Sequence, residues 1–165
     1  MAGGVLAVGI ADVPQMDTGA PTPIVLAEDG RVVLSYRLRA PLAPEPVTGS
    51  TSAYICFEGV SIHSLGGPND ETLHGHPLWE AGLRQYSAFI IENSPLIESL
   101  ERMNSVHPFH KPERFLDLRH YIFTFHDSTF ECVARSFSLT TSAEEFDSER
   151  VKLMQTMMRA HTQTT

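Results

Sequence analysis

Residues 119–135, with the sequence RHYIFTFHDSTFECVAR, constrain the fold more than any other stretch of the chain. Apolar and polar side chains alternate with period two on both sides of a short polar break, which predicts two antiparallel strands joined by a hairpin. We expect one face to be buried, because it carries only Tyr121, Phe123, Phe125, Phe130, Cys132 and Ala134. The other face is either hydrated surface or the wall of a pocket, and it carries His120, Thr124, His126, Glu131 and Arg135.

The remaining pattern predicts an α+β fold, in which helices cover an antiparallel sheet of hairpin-connected strands. Asp29-Gly30 between apolar alternations predicts a second hairpin. The proline-rich segment 41–50 predicts a loop or an edge crossover. Residues 51–63 predict a further strand, with Gly59 as a bulge.

Two helices are predicted by their starting signals. Ser94-Pro95 begins an inserted helix over about residues 94–106. Ser142 and Glu145 match a capping box, which predicts a C-terminal helix over about residues 142–161. The apolar, methionine-rich stripe of that helix predicts a homodimer contact, and it comprises Phe146, Val151, Met154, Met157 and Met158.

The bulk properties favour one domain and exclude some partners. We expect a single domain over residues 1–165, with residues 1–23 as an irregular N-terminal arm or a partial strand. The formal net charge of −8 disfavours nucleic acid or an anionic membrane as a partner, since both need a basic surface. The start of the chain lacks the basic region of a secretory signal, and no stretch is long enough for a membrane span. Cys56 and Cys132 lie in strand-like runs, so free buried thiols and a cytoplasmic location are expected.

The polar hairpin face offers an acid–base pair. With the loop centred on Ser128 and Thr129, His126 lies opposite Glu131 and within hydrogen-bonding reach. A carboxylate so placed fixes the imidazole tautomer, as a general base requires. The sequence therefore predicts His126 and Glu131 as catalytic residues, although a solvated ion pair accounts for them equally well.

A polar loop, Ser64–His76, is the second candidate. Long polar loops with fixed prolines are a common place for binding groups. With Thr124 from the hairpin, the loop supplies the predicted substrate-binding set of Asn69, Asp70, Glu71, His74 and His76. An ordinary connection between elements is the competing interpretation.

A metal site is the weaker possibility. His74, His76 and His126 are the candidate ligands for a divalent metal, but no cysteine set or helical HExxH motif accompanies them. We therefore expect no cofactor, and a metal-dependent enzyme stays open as an alternative.

Two segments, GGPNDETLHGHPL and FTFHDSTFECVA, resemble signature stretches of a family of small bacterial proteins. They cover under a quarter of the chain. That family carries no assigned activity, so the resemblance implies only a bacterial, intracellular origin and transfers no functional residue.

Together these features predict a small enzyme that acts on a polar small molecule between the loop and the hairpin. Hydrolysis, elimination and isomerisation all suit such groups. The main alternative is a non-catalytic binding or assembly module, in which the same residues form a hydrated sheet face.

Overall fold

The computed structural model describes residues 3–40 and 50–160, so residues 41–49 of the predicted proline-rich loop and residue 161 of the predicted helix lie outside the described residues. It confirms an α+β fold with an inserted and a C-terminal helix. The strands are β1 (Leu6–Gly9), β2 (Ile24–Glu28), β3 (Arg31–Arg37), β4 (Ser52–Glu58), β5 (Ile62–Gly66), β6 (Ala88–Glu92), β7 (Arg119–Thr124), β8 (Thr129–Ala134) and β9 (Ser136–Ser142). The helices are α1 (Pro95–Asn104) and α2 (Asp147–Ala160), with short 3-10 turns at Leu73–Gly75 and Pro112–Phe115.

The strands form two antiparallel sheets. One has five strands in the order β1-β6-β7-β8-β5, and the other has four in the order β2-β3-β4-β9. Their facing sides share one apolar core, to which the alternating residues of β7 and β8 contribute as predicted. Phe123, Phe125 and Cys132 are all buried there, so the predicted inner face of the hairpin is confirmed.

The chain passes between the two sheets at a corner formed by Gly59 and Arg135. Gly59 lies between β4 and β5 with φ +64°, and Arg135 lies between β8 and β9. A Cβ atom on Gly59 would stand 2.9 Å from the Arg135 side chain. The prediction of one strand over 51–63 with a bulge was therefore wrong, because the glycine changes the chain direction and sends each half into a different sheet.

The predicted arm and the first hairpin also take their places in the sheets. Within the arm of residues 1–23, β1 pairs with β6 at the edge of the five-stranded sheet, so the arm is not irregular throughout. The Asp29-Gly30 turn joins β2 to β3 and confirms that hairpin. No helix in the described part of the chain is long and apolar enough to cross a membrane.

Helix α2 covers the outer face of the four-stranded sheet. The helix begins at Asp147, so the capping box at Ser142 was wrong: residues up to Ser142 continue the alternation as β9. Met154 and Met158 are buried against this sheet, while Phe146 is 65% exposed. The methionine stripe thus packs within the chain, and the homodimer stays a prediction without that support.

The outer face of the five-stranded sheet is covered by the loop between β5 and β6. Leucines of this loop pack on the sheet in a separate apolar cluster, which contains Leu73, Leu78, Leu83, Phe89, Ile91 and Ile122. This packing brings the polar side chains of the loop against the polar face of β7 and β8.

Candidate functional site

The hairpin turn is centred two residues earlier than expected, and this changes the partner of Glu131. Thr124 pairs with Thr129, and the turn is centred on His126 and Asp127 and not on Ser128 and Thr129. Glu131 therefore lies opposite Ile122, and the predicted pairing of His126 with Glu131 was wrong. Because the register differs by an even number of residues, Glu131 keeps the predicted sheet face.

Glu131 instead binds a histidine on the neighbouring strand. Nε2 of His120 lies 3.1 Å from Oε2 of Glu131, and Nδ1 of the same ring lies 2.8 Å from Oγ of Ser94. Since a carboxylate only accepts, the neutral ring donates from Nε2, and its Nδ1 accepts the Ser94 hydroxyl proton. His120 is 1% exposed and Ser94 is 7% exposed. The three side chains form a serine–histidine–glutamate relay, in which the serine and the histidine are buried and the Glu131 side chain is 26% exposed.

A second histidine, His76, holds the other carboxylate oxygen. Its Nε2 lies 2.8 Å from Oε1 of Glu131, and its Nδ1 accepts the backbone N–H of Leu78 at 3.1 Å. Because Nδ1 accepts, the proton of the neutral ring is on Nε2, which donates to the carboxylate. The hydrogen bonds from His120 and then His76 lower the pKa of Glu131 to about 2, so it is ionised at neutral pH.

Ser94 stands where β6 turns into α1. Asn93 before it has φ +53°, a left-handed backbone conformation that few residues other than glycine adopt. Ser94 is the N-cap of α1, and its Oγ accepts the backbone N–H of Ile97 at 3.3 Å. The positive end of the helix dipole therefore lies at this hydroxyl.

Ser94 forms part of the wall of an open cleft of about 840 Å³. Much of the lining is apolar and includes Val8, Ile90, Ile97, Phe115, Leu116 and Leu118. The charged lining residues are Glu92, Glu98, Glu101 and Arg119. Ser94, which is 7% exposed, is thus the relay residue that lines this open cleft.

His126 belongs to a second cluster, formed with Asp70 and Tyr86. Nδ1 of His126 lies 2.9 Å from Oδ2 of Asp70, and the Tyr86 hydroxyl donates to the same oxygen. These bonds, with that of Tyr86 the larger cause, lower the pKa of Asp70, and the bond to Asp70 raises the pKa of Tyr86 to about 12. The His126 side chain is 41% exposed. With Nδ1 bonded to Asp70, Nε2 lies 3.9 Å from Oδ1 of Asp127, so the carboxylate bonded to His126 is Asp70 and not Glu131.

The other predicted substrate-binding residues are placed in different surroundings. Oδ1 of Asn69 accepts from the backbone and the hydroxyl of Thr72, so it caps a turn. Glu71 and His74 are exposed on the loop. Thr124 is fully buried, and its hydroxyl donates to a loop carbonyl, which ties the loop to β7.

The three histidines considered as metal ligands do not share one site. His76 contacts Glu131, His126 contacts Asp70, and His74 is exposed. Among residues 3–40 and 50–160, no group of three or more His, Cys, Asp or Glu side chains is arranged to hold a metal ion. The protonation of His76 also disfavours metal binding, because the nitrogen that faces Glu131 carries the proton and has no lone pair for a metal ion.

The sequence identified Glu131 and His76 as candidate site residues, but it did not identify Ser94 and His120. Ser94 was assigned only as the start of a helix, and His120 only as a polar-face residue. The available signal was that His120 and Glu131 share one face of neighbouring strands, where diagonal neighbours are within reach of long side chains. Nothing in the sequence indicated that Ser94 would lie at His120.

Comparison with known proteins gives no further guide, since no protein-family model, curated protein or solved structure matches this chain.

Proposed function

We propose that this protein is a serine-dependent ester hydrolase, with Ser94 as nucleophile, His120 as general base and Glu131 as the group that orients and stabilises the base. One observation carries the proposal: Oγ of Ser94 lies 2.8 Å from Nδ1 of His120, in the wall of a cleft. The histidine–glutamate pair expected on the sheet face is kept, but its histidine is His120 and not His126.

The chemistry requires only these groups, an ester and water. Oγ of Ser94 attacks the ester carbonyl carbon as its proton passes to Nδ1 of His120. The bond from the carbonyl carbon to the alcohol oxygen breaks, and the alcohol leaves with that proton. Water then attacks the acyl-serine and gives a proton to His120, which returns it to Ser94 as the carboxylic acid leaves.

The tautomer of His120 supports this assignment. Glu131 accepts from Nε2, so Nδ1 is the lone-pair nitrogen and it faces the hydroxyl. In chymotrypsin-like enzymes the two ring nitrogens are used in the opposite order. The reaction needs one nitrogen that accepts and one that donates to a carboxylate, and either order provides both.

The backbone around Ser94 also supports a nucleophile. Strand-to-helix turns also carry the reactive serine in α/β-hydrolases. Here Asn93 turns the chain with φ +53°, and Ser94 follows with φ −61° at the start of α1. The N-terminus of α1 stabilises negative charge that develops on the substrate oxygen next to Ser94.

The test is covalent labelling by a fluorophosphonate probe, which reacts with activated serines. We expect stoichiometric labelling of the full chain, with the added mass on the peptide that contains Ser94. Ser94→Ala should abolish labelling. Ser105→Ala is the matched control, because Ser105 lies at the other end of α1 with its hydroxyl bonded to the Arg102 carbonyl.

Loss of labelling must be separated from loss of structure. Ser94→Ala also removes an N-cap, at a cost of about 1 kcal/mol, so thermal unfolding of each variant is recorded beside its labelling. If wild-type protein stays unlabelled at Ser94 while folded, the relay serves only as a hydrogen-bonded cap. The non-catalytic binding or assembly module then becomes the better description.

A second candidate function has its own observation. Asp70 holds Nδ1 of His126 and leaves Nε2 for an acid–base step on a polar small molecule. His126→Gln should then abolish a turnover that Ser94→Ala leaves intact. His110→Gln is the control, since His110 is bonded to Glu101 at 2.7 Å, outside this cluster.

The cellular setting is part of the same proposal. The free thiols of Cys56 and Cys132 are buried and are compatible with a reducing compartment, such as a bacterial cytoplasm. The measurement is fractionation of a native host with an antibody to the chain. Recovery in the periplasmic or extracellular fraction would contradict a cytoplasmic location.

A further inference from the structure

We infer that the cleft beside Ser94 selects uncharged esters of apolar carboxylic acids, an inference that rests on the proposed hydrolase function. The acyl chain of the substrate would lie along the apolar wall, with its carbonyl carbon at Ser94. This departs from the polar small molecule that the sequence alone favoured.

The apolar wall is built from three parts of the chain that meet beside the serine. Val8 comes from β1, Ile97 from α1, and Phe115 and Leu116 from the 3-10 turn and its end. Val8 is 40% exposed and Leu116 is 79% exposed. Large apolar side chains this exposed gain free energy when an apolar chain covers them. The nucleophile in the same wall identifies the occupant as the acyl part of the substrate.

The charges at the cleft decide against anionic substrates. Three carboxylates and one guanidinium are among the lining residues, so the lining is net negative. Two of the carboxylates have partners: Glu98 is bonded to Arg102 and Glu101 to His110. With Arg102 counted, the carboxylates at the cleft exceed the guanidinium groups by one, so a carboxylate on the acyl chain is disfavoured there.

The experiment compares p-nitrophenyl esters of straight-chain acids from acetate to octanoate on the full chain. We expect kcat/KM to rise by up to about four-fold for each added methylene, the gain for burying one such group. The mono-p-nitrophenyl ester of suberic acid, whose carboxylate is too distant to attack its own ester carbonyl through a small ring, should react about ten-fold more slowly than the same ester with its free carboxylate methylated.

Variants locate the effect in the cleft. Phe115→Ala removes a half-buried ring of the wall and should flatten the dependence on chain length. Met103→Ala is the matched control, because Met103 is an apolar residue of α1 that is 61% exposed and outside the cleft. It should leave the slope unchanged.

The possible failures are distinguishable. Probe labelling at Ser94 with rates that do not rise along the series would overturn the apolar substrate class and leave the hydrolase intact. Faster reaction of the carboxylate-bearing ester would do the same. Absence of both labelling and ester turnover would overturn the hydrolase, and the substrate class falls with it.

Discussion

Oε1 of Glu131 lies 2.8 Å from Nε2 of His76, although 55 positions of sequence separate the two residues. This contact joins the loop that covers the five-stranded sheet to the strand beneath it. It also occupies the carboxylate oxygen that His120 does not use. The loop therefore fixes the direction in which Glu131 presents its charge to the relay.

Glu131→Gln should slow serine labelling and ester turnover by about 10²–10⁴-fold. A glutamine places an NH2 donor where one of the two carboxylate oxygens was, so it cannot accept at both the position that faces His76 and the position that faces His120. It also no longer stabilises the charged ring. The measurement is the rate of fluorophosphonate labelling at saturating probe. The control is Glu144→Gln, which removes a half-buried carboxylate that is bonded to Tyr54. Equal rates for the wild type and Glu131→Gln would contradict the relay.

The stability conferred by the Glu131 charge should disappear in acid. Its folded-state pKa of about 2 lies below the usual glutamate value of 4.5, so the ionised form is favoured by folding. The contribution is fully present above the unfolded pKa and is lost as the pH falls from about 4.5 through about 2. We expect the difference in unfolding free energy between wild type and Glu131→Gln to shrink over this range. Urea unfolding at several pH values measures it, and a difference that stays constant would count against the charge.

Asp70→Asn should lower the pKa of Tyr86. The hydrogen bond to Asp70 contributes most to the rise of this pKa from 10.0 to about 12. The amide of an asparagine carries no charge, so it would not oppose ionisation of the phenol. Absorbance of tyrosinate along an alkaline titration reports the change. Asp127→Asn is the control. The Asp127 charge makes the smallest contribution to the raised pKa of Tyr86, so its removal should shift the titration curve less. Superimposable curves for wild type and Asp70→Asn would show that the Tyr86–Asp70 bond is absent in solution.

The sheet faces of the hairpin were predictable, but its register was not. Period-two alternation records which side chains are buried, and Phe123, Phe125 and Cys132 obey it. Register depends on where the turn is centred, and the Phe125 N–H bonds to the Ser128 carbonyl at 2.8 Å around His126 and Asp127, two residues before the predicted centre. A register shift by an even number of residues changes which residues are paired but leaves each side chain on the same sheet face. The alternation of apolar and polar residues therefore cannot reveal such a shift.

The relay was not predictable, because tertiary packing assembles it. His76 reaches Glu131 only because Leu73 and Leu78 of its loop pack on the outer face of the sheet. Ser94 reaches His120 because β6 pairs with β7 before it turns into α1. The local sequence indicates the strands, the helix cap and the polar residues. Whether these residues come together depends on contacts between segments that are far apart in the chain.

Gly59→Ala should destabilise the fold by about 2–5 kcal/mol, which sums the strain of an L-residue at positive φ and the cost of overpacking. The new Cβ would stand 2.9 Å from the Arg135 side chain at the corner where the chain changes sheets. Gly30→Ala is the matched control, because Gly30 also has a positive φ, +77°, but nothing lies within 4 Å of its Cβ position. It should show the backbone strain alone, about 1–2 kcal/mol.

A double variant isolates the contact with Arg135. Its side chain supplies the atoms nearest to the new Cβ, namely Cδ, Cγ and Cβ. Arg135→Ala removes the first two, so it should make Gly59→Ala less costly, close to the cost of Gly30→Ala. Urea unfolding of the four proteins of the Gly59–Arg135 cycle gives the coupling free energy. A Gly59→Ala cost that Arg135→Ala leaves unchanged would mean that the backbone conformation alone, and not the close approach of the two crossovers, requires glycine at this corner.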